Sequence, residues 1–291
     1  MLTRRRREWG AALVLAVSFG VAAAGCGGEK TANVARPGLD PGSFSAGSQT
    51  ANPWFPLEPG TQWVREGRVN RGHRRLRHRV VTTVTDVVKD VGGVRATVVL
   101  DQDFDGGEIA EQAIDYVAVD RHRNVWDLGS YTETYEGGQF VNAADARLAG
   151  VKGAQAGILV QGRPRPETPP YSEGKVPGEA QDIAKVVKSG QSQCVPFKCY
   201  RDVLVIGEGS ADESDLSEYK YFAPGVGQIR TEPRTGHEQE VEVLVNLTQL
   251  SPRALAELSA EALRLDRHAR VEAKDVFGGA PPARRVRDRR A

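Results

Sequence analysis

The chain has 291 residues, 40% hydrophobic and 26% charged, with a formal net charge of +1 and three cysteines. Residues 1–25 carry +3 and residues 280–291 carry +4, which leaves the intervening body near −6. An acidic body of this kind speaks against nucleic acid as the main partner, and it is long enough for one sizeable core.

Arg4, Arg5, Arg6 and Arg7 resist translocation and hold this end on the cytoplasmic side of a membrane. The apolar stretch from Ala11 to Ala24 is shorter than the roughly 20 residues a spanning helix needs, but suits the h-region of a signal peptide. Ala23-Ala24-Gly25-Cys26-Gly27-Gly28 then sets small residues before a cysteine and resembles the lipobox of bacterial lipoproteins. In that motif the thiol is lipidated before an extended segment of small side chains is cleaved; its usual leucine is Ala23 here. The resemblance implies cleavage before Cys26 and a membrane anchor on it, a diacylglyceryl thioether supplying the second acyl chain that stable attachment needs. An ordinary secretory signal is the alternative. Residues 26–51, rich in Gly, Ser, Ala, Pro and Asn, read as a flexible tether.

From Asn52 to about residue 276 the pattern predicts one mainly β domain. The expected architecture is a single antiparallel meander forming a strongly curved sheet or incomplete barrel, closed by one C-terminal helix. Thr61 opens the first strand. Val80, Val81, Thr82, Thr83, Val84, Thr85, Val87 and Val88 form a β-branched run suited to a pleated surface. Gly92-Gly93, Asp105-Gly106-Gly107 and Glu136-Gly137-Gly138 punctuate the strands as hairpin turns. Residues 142–178, with many Gly and Pro, read as one long loop, and so as a candidate binding rim. Strands resume near Ile183. In the last, Val241, Val243 and Val245 are expected on one face, with Glu240, Glu242 and Leu244 on the other. Ser251 as N-cap, Pro252 after it, and the stripe Leu255, Leu258, Ala262, Leu265 and Ala269 predict a helix over residues 252–274. Residues 277–291 read as a disordered basic tail able to touch anionic lipid.

Cys194 and Cys199 flank a four-residue turn in an exported chain, which predicts a structural disulfide. A redox-active pair would want Cys-X-X-Cys spacing, and a zinc site more ligands. Asp101, Asp103 and Asp105 before Gly106 imitate the first half of a calcium loop. The imitation fails at Gln112, where a bidentate glutamate belongs. His73 and His78 sit among Arg71, Arg74, Arg75, Arg77 and Arg79, a run hostile to a metal cation that reads as a solvated strand edge. No metal, cofactor or catalytic residue is assigned.

Three phrases carry a further resemblance: Asn52-Pro53-Trp54-Phe55-Pro56-Leu57-Glu58-Pro59-Gly60-Thr61-Gln62-Trp63, Asn124-Val125-Trp126-Asp127-Leu128-Gly129, and Lys220-Tyr221-Phe222-Ala223-Pro224-Gly225-Val226-Gly227. Together they resemble a widespread group of uncharacterised bacterial secreted proteins and lipoproteins. The resemblance implies a shared β-rich fold and no activity. A looser one, to LolA-like lipoprotein carriers, rests on fold alone. The expectation is a non-catalytic, membrane-anchored extracytoplasmic protein binding a lipid or other apolar ligand. A protein-interaction role in the cell envelope and a hydrolytic enzyme are the alternatives.

Overall fold

The computed structural model describes residues 34–35, 38–44, 52–71, 74–212, 215–235 and 240–286. Cys26, His73 and His237 lie outside them. Strand β1 (Thr61–Arg71) pairs with β2 (Arg74–Val91) on one side and with β13 (Glu240–Gln249) on the other. This double pairing closes twelve strands into an antiparallel barrel in the ring order β1-β13-β12-β11-β10-β9-β8-β7-β5-β4-β3-β2. The sheet therefore closes fully, beyond the strong curvature that the sequence predicts.

Short hairpins join β2 to β3 (Val94–Asp105), β3 to β4 (Glu108–Val119) and β5 (Val125–Glu136) to β6 (Gln139–Leu148). Gly106 and Gly107 carry φ of +64° and +97°, which a two-residue turn of matching twist demands and glycine accepts without strain. The ring is completed by β7 (Gln155–Val160), β8 (Tyr171–Lys175), β9 (Asp182–Cys194), β10 (Cys199–Ser210), β11 (Glu218–Ala223) and β12 (Gly227–Pro233). Cys194 and Cys199 face each other across the β9–β10 hairpin and are bonded.

Helix α1 (Pro252–Glu272) lies on the outer face of β2 to β6, capped by the Ser251 hydroxyl accepting from the Ala254 N–H at 3.3 Å. Ala262, Leu265 and Ala269 are buried, as the stripe predicts. A short helix α2 (Lys274–Phe277) then drives Phe277 between Tyr116 and Tyr131, at centroid distances of 6.1 and 5.8 Å. The same layer holds a buried ion pair. Lys89 donates to Asp266 at 2.7 Å and to the Pro281 carbonyl at 2.7 Å, while the Tyr116 hydroxyl donates to Asp266 at 3.1 Å.

Four expectations are corrected. Residues 142–178 are no single loop, since they hold the end of β6 and all of β7 and β8; short strands among Gly and Pro lack the alternation that would betray them. In β13 the buried pair is Glu242 and Leu244 while Val241 is exposed, so the strand is turned opposite to its hydropathy. The tail is ordered to Val286: β14 (Arg284–Arg285) pairs with β2, and Arg285 binds Asp86 through a hydrogen bond of 3.0 Å. Part of the tether docks, with Phe44 edge-on to Trp126 and the Arg121 N–H donating to the Ser43 carbonyl at 2.7 Å.

Removing one partner of the Lys89–Asp266 pair strands a charge in an apolar layer. Asp266→Ala is expected to lower unfolding free energy by roughly 3–5 kcal/mol in chemical denaturation. The double replacement Lys89→Met with Asp266→Leu is expected to recover much of that loss.

Candidate functional site

Side chains alternate along a strand, so every second residue of a closed barrel faces its interior. On β3 those residues include Asp101 and Asp103; on β4, Glu111, Ala113, Asp115 and Val117; near the end of β6, Asp145 and Arg147. They line a cavity of about 260 Å³ with Arg65, Asp127, Glu208 and Lys220. Seven carboxylates thus meet three cations on the cavity wall. That volume lies just below the ~300 Å³ at which pockets for drug-sized ligands begin, so the space suits a small molecule.

Each cation is already claimed. Arg65 donates to Glu242 at 3.0 Å and to the Thr82 hydroxyl at 3.1 Å. Arg147 donates to Asp127 at 2.6 Å and has Asp145 at 3.5 Å. Lys220 binds Glu208 and Glu218. Asp101, Asp103 and Asp115 gather on β3 and β4, where Asp103 stands directly opposite Glu111 across the ladder. Like charges so placed repel. Burial, reinforced by Asp101 and Glu240, pushes the Asp103 carboxyl well above its ordinary range. Burial likewise raises Asp115, with Asp101 and Asp127 adding to it, and raises Asp101 despite Arg65. Across the lumen, burial lifts Glu208 to about 7 against the pull of Lys220. Glu173 beside it is also raised by burial and by Glu208, and one of its buried oxygens has no hydrogen-bond partner.

Beside the Glu208–Lys220 pair, the opposite wall also carries apolar surface. Phe222 on β11 lies six strands from β4 in the ring of twelve, and Trp63, Phe55 and Leu159 continue its surface. The three phrases singled out in the sequence meet at this end. The Trp63 indole donates to the Val226 carbonyl at 2.5 Å, and its ring lies 3.2–3.3 Å from where a Cβ on Gly227 would stand. The Gly225 N–H donates to the Pro53 carbonyl at 2.6 Å, and the Asn52 amide donates to the Arg123 carbonyl at 2.7 Å. The lead-in segment is thereby tied across the barrel end and sets Phe55 into the cavity wall.

At the other end, where the β1–β2, β3–β4 and β12–β13 connections lie, His78 is buried. Its Nδ1 is 2.7 Å from Asp105, which also accepts from Arg71 at 2.8 Å. Burial disfavours the imidazolium, but the Asp105 and Glu240 carboxylates outweigh it and hold the pKa at about 10.

Asp101, Asp103 and Asp105 are therefore not a calcium loop. The first two face the cavity from a strand, and the third serves the hairpin and His78. In the basic run β2 has β1 as a neighbour from Arg74 but β3 only from His78, so Arg74 and Arg75 stand exposed on a strand end paired on one side. Arg77 and Arg79 are exposed while His78 between them is buried, so the arginines that seemed to surround it lie on the other face. His122 is exposed, and His268 on α1 binds Glu133 at 2.6 Å. The cavity carboxylates on β4, β6 and β10 are missed by local reading. Their available signal is acidic residues at alternate positions of predicted strands, as in Glu111 and Asp115.

No known protein family matches this chain. Neither does any curated protein or solved structure.

The raised Glu208 sets a pH dependence. Its folded value of about 7 exceeds the ordinary 4.5, so between the two the folded state holds a proton that the unfolded chain has released. This contribution is present below 4.5 and lost as pH rises through 7. Thermal melts across that window are expected to show wild type losing stability relative to Glu208→Gln, by up to about 3 kcal/mol.

Proposed function

We propose that the mature chain is a lipid-anchored extracytoplasmic binding protein whose barrel takes a small organic cation, an amine or guanidine with an apolar body. The observation that carries this reading is the patch of Asp101, Asp103 and Asp115, three interior carboxylates without a salt bridge among the described residues. Burial raises Asp101, Asp103 and Asp115 above the ordinary carboxylate range, so a cation beside them favours their ionised form at the expense of the protonated one, which ties affinity to pH. Phe55, Trp63 and Phe222 offer ring faces and apolar contact to the rest of the ligand. A wholly apolar ligand would leave the carboxylates and the Arg147 and Lys220 ion pairs facing hydrocarbon, which is unfavourable. This favours a charged ligand over the lipid that the sequence suggests.

The anchor is proposed from the lipobox resemblance at Cys26. Growth with a clickable palmitate analogue is expected to label the protein, and Cys26→Ser to abolish the label. An unlabelled protein recovered from the cytosol would sink this part of the reading.

Ligand class is tested by calorimetric titration with tryptamine, indole and indole-3-acetate, which share a ring system and differ in charge. The amine is expected to bind with proton release, visible as heats that depend on buffer ionisation enthalpy, while the neutral and anionic probes do not bind. Asp103→Asn with Asp115→Asn is expected to weaken the amine at least tenfold. Equal binding of all three probes, or a preference for the anion, would refute the cationic reading.

A further inference from the structure

The rim histidine is built like a metal ligand. His78 on β2 and Glu242 on β13 are both opposite Gly67 of the intervening β1, so no side chain separates them. Gly67 is required there, since a Cβ would fall 1.6 Å from the Val241 carbonyl oxygen. One ligand atom each of His78, Glu240 and Glu242 lies within 4.8 Å of the others. Two of these side chains are almost wholly enclosed, His78 at 1% and Glu242 at 3% exposure, and each has an unused atom. Nε2 of His78 makes no well-formed hydrogen bond, its one polar neighbour being the Glu240 carboxylate at 3.0 Å. Oε2 of Glu242 makes none, its other oxygen taking Arg65, Thr231 and Gln228. Buried polar atoms are rarely left so, and an ion is one of the partners that satisfies them.

We infer that His78, Glu240 and Glu242 form a site for one divalent transition-metal cation of the zinc type, separate from the acidic patch on β3 and β4. One imidazole and two carboxylates supply three ligands of the kind zinc accepts, leaving a fourth position for water. Asp105 completes the arrangement from outside. Held by Arg71 at 2.8 Å, it accepts from Nδ1 of His78 at 2.7 Å and so turns Nε2 toward the carboxylates. The ion replaces the proton on Nε2, which leaves to solvent. A tetrahedral ion needs its ligand atoms about 3.4 Å apart, so the carboxylates close in by an ångström or so, within reach of side-chain rotation.

The full mature chain, purified in detergent and stripped with a chelator, is to be dialysed against zinc and its metal content measured. Cobalt(II), whose absorbance reports coordination geometry, serves as a second probe. One zinc per chain is expected, together with an intense visible cobalt band. His78→Gln is expected to abolish both, Asp105→Asn to weaken binding 10–100-fold, and Asp103→Asn to leave binding in place. Glu240→Gln, at the sheet's rim, keeps the test decisive should His78→Gln fail to fold. Wild type without bound zinc, or zinc retained by both His78→Gln and Glu240→Gln, would overturn the site. Zinc lost in Asp103→Asn but kept in His78→Gln would overturn it too, moving the ion to the acidic patch and leaving the amine titrations to judge that patch separately.

Discussion

The enclosure of like charge governs this structure. Closing twelve strands through the β1–β2 and β1–β13 pairings gives the sheet an interior lined by buried side chains. Into that interior the chain turns more carboxylates than cations. Three of the responses are visible. Arg65, Arg147 and Lys220 each bind nearby acids, burial raises the pKa of Asp101, Asp103 and Asp115, and buried polar atoms of His78 and Glu242 are left without a hydrogen bond at the rim. A barrel that merely needed to fold would fill its lumen with apolar side chains, as small barrels commonly do.

The outer wall supplies what the lumen withholds. Between the sheet and α1, Val87, Ile114, Tyr116, Tyr131, Leu265 and Phe277 are buried together in an apolar layer. Even there the chain admits a charge pair, Lys89 with Asp266, and surrounds it with the Tyr116 hydroxyl, the Pro281 carbonyl and the Ala283 N–H. Residues after the helix are thus needed to satisfy the pair, which explains why a segment composed like a tail is fixed against β2.

Much of this fold was legible wherever one physical signal dominated. The Val/Thr run of β2, the Gly-Gly hairpins, the helix with its Ser251 cap, and the Cys194–Cys199 bond all follow from local chemistry. The interior was not legible in the same way. Hydropathy alternation presumes that the apolar face turns inward, and in β13 the inward face carries Glu242. A polar lumen inverts the rule, and nothing within one strand reveals the inversion. Neighbourhood in sequence also misled at His78, where one residue's step along a strand moves it to the opposite face from Arg77 and Arg79. Asp103 and Glu111 become neighbours only through register. Motif reading found the lead-in segment and the Ala223–Gly227 turn but not that they lock together around Trp63.

The partnership of β1 with β13 bears on biogenesis. The two strands are separated by most of the chain, so the first cannot acquire its second neighbour until nearly all of the polypeptide has emerged from the ribosome or from an export channel. Until then both lateral margins of a growing, hydrogen-bond-hungry sheet stand open, and non-local topologies of this kind assemble slowly. A protein that closes last what it made first has a long interval of vulnerability to self-association, during which a holding chaperone would shield those margins.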